Sequence, residues 1–186
     1  MSPNTVEPRK SRAPRIVLPE PVDEPVPHAE PLTATKNQRD GMITLLNQRL
    51  AEAVDLQMQM KQAHWNVKGP NFLGLRSLFG QLNAAVVSYV EQIAERIVAL
   101  GGIAEGTVRV SAARSRLADY PLTICDGSMH AAAVGQCLST FRHEIVNTIG
   151  EADELDDAPT ADLFSSIAGG LDRWVWQIEA LGQTAN

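Results

Sequence analysis

From Leu75 to Leu100 an apolar residue returns every three or four positions: Leu75, Leu78, Phe79, Leu82, Ala85, Val86, Tyr89, Ile93, Ile97 and Leu100. That period fits one face of an α-helix, whereas a strand changes face at every residue. Gly101 and Gly102 stop the run. At 1.5 Å per residue such a helix is about 40 Å long, and its apolar stripe has to be covered by neighbours of similar length. Three other segments provide them. Leu46, Leu50, Ala53, Val54, Gln57, Met58 and Lys61 mark a preceding helix that ends before "KGP", after which Asn71 stands at the cap of the second. Asp126 can cap a third helix through Val134, Cys137, Leu138, Phe141, Ile145 and Thr148. Asp157 or Thr160 can open a fourth through Leu163, Ile167, Leu171, Trp174, Ile178 and Leu181. Residues 103–123 are long enough to cross a bundle; their first part fits a short helix that is over by Pro121. No segment of strand period competes, so the expected fold is all-α, a four-helix bundle with a long crossover between the second and third main helices.

The segment before the helices differs in kind. Eight of the eleven prolines fall between Pro3 and Pro31, so residues 1–36 read as an extended or disordered tail and 37–186 as a single domain. Charge divides the same way. Residues 1–39 hold six Lys/Arg against five Asp/Glu, which leaves ten against seventeen in the rest of a chain of net charge −6. An acidic body repels nucleic acid, so any contact with DNA has to run through "RKSRAPR", that is Arg9, Lys10, Arg12 and Arg15. No apolar run approaches the roughly 20 residues of a membrane span, and no apolar stretch marks a secretory signal. A cytoplasmic protein without a membrane partner is expected. Cys125 and Cys137 lack zinc-ligand spacing and read as free, buried thiols.

Within the second helix, Arg76, Gly80, Ala84, Val87, Glu91 and Glu95 form a second stripe. By spacing alone the two glutamates fit a solvated face as well as a ligand pair, and His64 fits a hydrogen-bonded interior histidine as well as a ligand. The ends of the stripe are about 22 Å apart and cannot share one ion within a chain. In an antiparallel pair of chains about a two-fold axis near residues 85 and 86, Arg76 faces Glu95 of the partner subunit and Gly80 faces Glu91 of the partner subunit.

The stretches "KQAHWNVKGPNF", "AERIVALGGIAEGT", "GEADELDDAPTADLF" and "LDRWVWQIEA" occur in the order found in the Dps family of ferritin-like proteins, which the chain resembles from about Leu45 to Leu181. The resemblance implies a ferritin-like four-helix subunit assembled into a hollow homo-dodecamer. It also implies peroxide-driven oxidation of ferrous iron at the two-fold interface, a ferric store inside, and DNA protection without sequence specificity. On this likeness His64, Glu91 and Glu95 match metal ligands, while Arg76 and Gly80 occupy the positions of a second histidine and an aspartate. A guanidinium cannot lose its proton to coordinate a metal, and glycine offers no ligand. The expected site is therefore an altered ferroxidase centre, weak or inactive, in which a salt bridge from Arg76 to the neighbour's acids replaces the cation. The rival expectations are an active ferroxidase and iron store using His64, Glu91 and Glu95, and a structural shell without iron chemistry. Trp65 matches a tryptophan near the site, able either to intercept radicals or to pack in the core. Trp174 and Trp176 read as core or subunit contacts. Asp157 and Asp162 match the family's acidic three-fold pore, although their acidic run also reads as solubility and helix capping; twelve basic tails imply binding to DNA and association with the nucleoid, although the tail reads equally as a solubilising segment.

Overall fold

The computed structural model describes residues 35–183, with side chains through residue 180. Among the described residues there are five helices and no strand: α1 (Lys36–Asn66), α2 (Phe72–Ala99), α3 (Val108–Arg114), α4 (Gly127–Glu154) and α5 (Ala158–Gln183). α1 packs along α2 and α4 along α5, while contacts between α1 and α4 join the pairs and α3 lies against α1. None of these helices is long and apolar enough to cross a membrane. Arg9, Lys10, Arg12 and Arg15 lie outside the described residues.

Local chemistry sets the ends. Thr35 and Gln38 form a capping box, in which the Thr35 side chain accepts from the Gln38 N–H and the Gln38 side chain accepts from the Thr35 N–H. The first helix thus begins at Lys36, inside the segment that composition assigns to the tail. At the end of α2, Gly101 adopts φ 81° and donates to the carbonyl of Val98, while Gly102 donates to that of Ile97. This is the left-handed turn for which glycine is best suited. Asp126 caps α4 through the N–H of Ser128, as expected. Asn71 precedes α2 but does not cap it with its side chain; it adopts φ 61°, which asparagine tolerates better than most residues.

The apolar stripes of α2, α4 and α5 are buried largely as their periods predict, with Phe79, Phe141 and Phe164 among the largest fully enclosed side chains. α1 departs from expectation. Its buried line runs through Met42, Leu46, Leu50, Ala53, Leu56, Met60 and Ala63, whereas Met58 is 46% exposed. Val54, Gln57 and Lys61 are only half-buried. The same helix buries polar residues that hold the crossover. Asn47 donates to the carbonyl of Ile103 at 3.0 Å and accepts from the N–H of Glu105 at 2.9 Å. Gln48 and Gln59 donate to the carbonyls of Arg114 and Ala118 at 2.8 and 3.0 Å, and the Ser115 hydroxyl donates to Asp55 at 2.6 Å. A connection of this length carries many backbone polar groups, and these side chains satisfy several where water has limited access. Of the two cysteines, both free, Cys137 is buried, which pushes its thiol up to about 12, but Cys125 is exposed, contrary to expectation.

Candidate functional site

The turn between α1 and α2 brings His64, Arg76 and Gly80 together. Nδ1 of His64 lies 2.8 Å from the carbonyl oxygen of Arg76. A carbonyl can only accept, so Nδ1 carries the proton, and in the neutral imidazole the free lone pair is on Nε2. Metal-binding histidines are held in the same way, with one ring nitrogen donating to a fixed oxygen while the other faces the ion. The Arg76 guanidinium reaches back and donates to the carbonyl of His64 at 3.1 Å. These reciprocal bonds fasten the end of α1 to the first turns of α2. Gly80 lies beside the ring, where an added β-carbon would stand 3.3 Å from Nδ1.

Arg76, Glu91 and Glu95 are all exposed on α2, with Ala84 exposed between them. The stripe is therefore open on the surface at these four positions, with Gly80 and Val87 half-buried between them. Among the described residues no three His, Cys, Asp or Glu side chains gather to hold a metal within one chain. The donor set at residues 64, 76 and 80 amounts to one imidazole beside a fixed cation and a glycine, which does not by itself fit a di-iron centre. Trp65 is 55% exposed rather than packed in the subunit core, with Nζ of Lys61 5.9 Å from its ring centroid. Trp174 packs half-buried against the core, whereas Trp176 is 65% exposed.

The two acids assigned to a pore part company. Asp162 is exposed, but Asp157 is buried and engaged with Arg96 at 2.7 Å. Arg96 Nε also donates to the Thr160 hydroxyl at 2.9 Å, and Thr160 donates to Asp157 through its hydroxyl at 2.7 Å and its N–H at 3.2 Å. Asp157 thus caps α5 and ties it to α2, so its carboxylate is not presented to solvent. Sequence reasoning passed over Arg96, although an arginine between Ile93 and Ile97 on an apolar stripe, with a D-x-x-T segment to receive it, was the available signal.

A second buried charged group joins α1 to α4. Arg49 lies 2.8 Å from Glu52 and 2.7 Å from Glu144, and Gln48 donates to the other oxygen of Glu52 at 2.8 Å. Burial of Glu52 raises its carboxyl above the usual range, and the Arg49 charge offsets this only in part. Arg49 occupies the space between two carboxylates.

The ferritin-like domain family model matches residues 43–185. The DNA protection during starvation protein of Agrobacterium fabrum is 34% identical over 144 residues, covering 77% of this chain and 89% of that protein. The protein of the same name from Brevibacillus brevis is 33% identical, over 73% of this chain and 91% of its own length. Among solved structures, a Dps protein from Bacillus brevis superposes with a TM-score of 0.75 at 28% identity, covering 79% of this chain and 98% of that one. The tetragonal form of Mycobacterium smegmatis Dps gives 0.76 at 26%, covering 86% and 93%.

Proposed function

The chain belongs to the Dps family of ferritin-like proteins, and from that premise we propose that it assembles into a hollow dodecameric shell that protects DNA and handles iron, with its interfacial ferroxidase centre impaired. The observation that carries this reading is the pairing of His64 with Arg76. His64 is held as a ligand would be, with Nδ1 tied to a carbonyl, yet the side chain beside it is a guanidinium bonded to the carbonyl of His64 itself. A ferrous ion brought to Nε2 of His64 meets that fixed positive charge, and Gly80 contributes no carboxylate to offset it. Glu91 and Glu95 of the partner subunit supply negative charge when two α2 helices pack antiparallel, and Arg76 competes with iron for them.

Iron is substrate and cargo here. Asp162 gives the second turn of α5 an exposed carboxylate that a three-fold arrangement repeats, which favours the passage of cations. Binding to DNA is assigned to Arg9, Lys10, Arg12 and Arg15. The free Nε2 of His64 favours a second reading, a reduced-ligand site that still oxidises iron with Glu91 and Glu95. Stopped-flow oxidation of Fe(II) by peroxide on purified shells separates the two. A rate near that of buffer supports the impaired centre, while fast oxidation that saturates at a fixed number of irons per subunit supports the second reading.

A further inference from the structure

Tyr120, in the crossover, places its hydroxyl 2.6 Å from Nδ1 of His130 on α4, with ring centroids 6.1 Å apart and planes 23° from parallel. His130 is 1% exposed, and its Nε2 has no hydrogen-bond partner of good geometry. Direction of the bond follows from what surrounds it. Among the described residues the phenol has no other hydrogen-bond partner. With the proton of the neutral imidazole on Nε2, towards the backbone of Asn66, Nδ1 keeps its lone pair, so the hydroxyl donates and Nδ1 accepts. Burial holds the imidazole below its usual range and keeps it neutral, while the Asn66 backbone and the Asp126 carboxylate lie close enough to offset this in part. Cys137 bears on Tyr120 from α4, and Asp55 on Cys137 from α1.

A phenol that loses an electron becomes a strong acid and must shed its proton. Where the nearest acceptor is bulk water, that requirement raises the barrier. Where a neutral imidazole already accepts the hydrogen bond, the proton moves a fraction of an ångström and the single positive charge passes to the hydrogen-bonded imidazole.

We propose that Tyr120 and His130 form a proton-coupled redox site that surrenders one electron to a diffusible oxidant of the hydroxyl-radical class, sparing the rest of the subunit. In the forward step the oxidant takes one electron from the phenol and becomes hydroxide, and the phenolic proton passes to Nδ1 of His130. The products are a neutral tyrosyl radical and an imidazolium. In the return step a small-molecule thiolate or ascorbate monoanion supplies one electron, becoming a thiyl radical or, with loss of its proton to water, an ascorbyl radical, and Nδ1 returns its proton to restore the phenol. The site lies where Asn66, two residues beyond His64, approaches His130, so it backs onto the end of α1 that carries Trp65. The inference needs no bound iron and stands independently of the proposed state of the iron centre.

The assembled full-length protein, oxidised with photogenerated tris(bipyridine)ruthenium(III) and frozen for electron paramagnetic resonance, provides the test. Tyr89 is the only other tyrosine and serves as internal control. Wild type is expected to give a tyrosyl signal that forms more slowly in heavy water and is lost in Tyr120→Phe. Because a positioned proton acceptor contributes about 10²-fold or more to such a transfer, His130→Phe should slow formation of the signal about as much. Persistence of the tyrosyl signal in Tyr120→Phe, a radical on tryptophan alone in wild type, or an unchanged rate in His130→Phe overturns the proposal. Should His130→Phe fail to assemble, the phenylalanine variant at Tyr120 and the isotope effect in wild type decide between the same outcomes.

Discussion

Gly80 abuts the imidazole of His64 so closely that a β-carbon at residue 80 would stand 3.3 Å from Nδ1 and 3.4 Å from Cε1. An aspartate there has to displace the ring by a few tenths of an ångström, and Arg76 resists because its carbonyl holds Nδ1. Gly80→Asp alone should therefore gain little. Combining Arg76→His with Gly80→Asp removes the cation and adds two ligands, so peroxide-dependent Fe(II) oxidation and Fe(II) affinity should both rise by at least about tenfold. Calorimetry and stopped-flow absorbance measure the two. No gain in either from the double variant would show that the frame around His64 has lost more than its ligands.

Arg96 and Asp157 make a buried ion pair whose side chains are 8% and 5% exposed. Arg96→Met strands a buried carboxylate and removes the partner of Thr160, and the loss of one member of such a pair costs about 3–5 kcal/mol. For a subunit of this size that corresponds to a fall in Tm of roughly 6–20 °C. Asp157→Asn should cost less, because the amide oxygen can still accept from Arg96. Calorimetric melts of the two variants check the order.

Gly170 leaves room for the Tyr89 hydroxyl, since a β-carbon at residue 170 would come within 2.1 Å of the oxygen and 3.1 Å of Cζ. Gly170→Ala should destabilise the α2–α5 contact by about 1–3 kcal/mol, the usual cost of overpacking. Tyr89→Phe in the same chain removes the closer clash and should recover part of the loss, leaving a measurable coupling in a double-mutant cycle of denaturant melts. Additive effects would mean that Tyr89 turns away without cost.

The legible part of this fold was the part written in apolar period. The stripes of α2, α4 and α5 foretold their buried faces, and Asp126 foretold its cap, because local spacing decides both. What escaped sequence reasoning was written in polar residues far apart in the chain. Arg96 meets Asp157 across 61 positions, and Asn47 meets Ile103 across 56. A polar residue on a helix reads as solvated until the fold supplies its partner. The true buried line of α1 was obscured for the same reason, since Asn47, Arg49, Glu52 and Gln59 all lie inside. At the candidate site the resemblance identified His64, Arg76 and Gly80 as a group. The donation from Nδ1 to the Arg76 carbonyl, which fixes the histidine's tautomer, depends on the angle of the turn between α1 and α2, which no spacing rule supplies.

Glu52 gives the subunit a pH dependence of definite sign. Its folded carboxyl titrates above the ordinary glutamate value of 4.5, chiefly through burial. Between 4.5 and the raised value the folded state therefore binds more protons than the unfolded one, and stability falls as pH rises through that window. Below 4.5 both states are protonated and this contribution is flat. Glu52→Gln keeps the shape and removes the titration, so the difference in unfolding free energy between variant and wild type should grow in the variant's favour from pH 4.5 upward. Urea melts across this range report it. A difference that shrinks with pH would mean that the charge of Arg49 outweighs burial.

The basic cluster at Arg9, Lys10, Arg12 and Arg15 can be tested without disturbing the bundle, because the capping box at Thr35 fixes where truncation has to stop. Removing residues 1–34 leaves Thr35 to cap α1, whereas cutting beyond it costs about 1 kcal/mol at the helix terminus and confuses the result. The body left behind is acidic, so the truncated shell should lose its retardation of plasmid DNA while eluting at the size of an intact assembly. In the full-length protein the retardation should be indifferent to DNA sequence, since phosphate contacts position without specifying. It should also fade steeply between about 50 and 200 mM salt as counterion release weakens. Charge-neutral replacement of all four basic residues in the intact tail should reproduce the truncation. If that variant still retards DNA while the truncated shell does not, the tail acts by length and not by charge, and the contact with phosphate lies elsewhere.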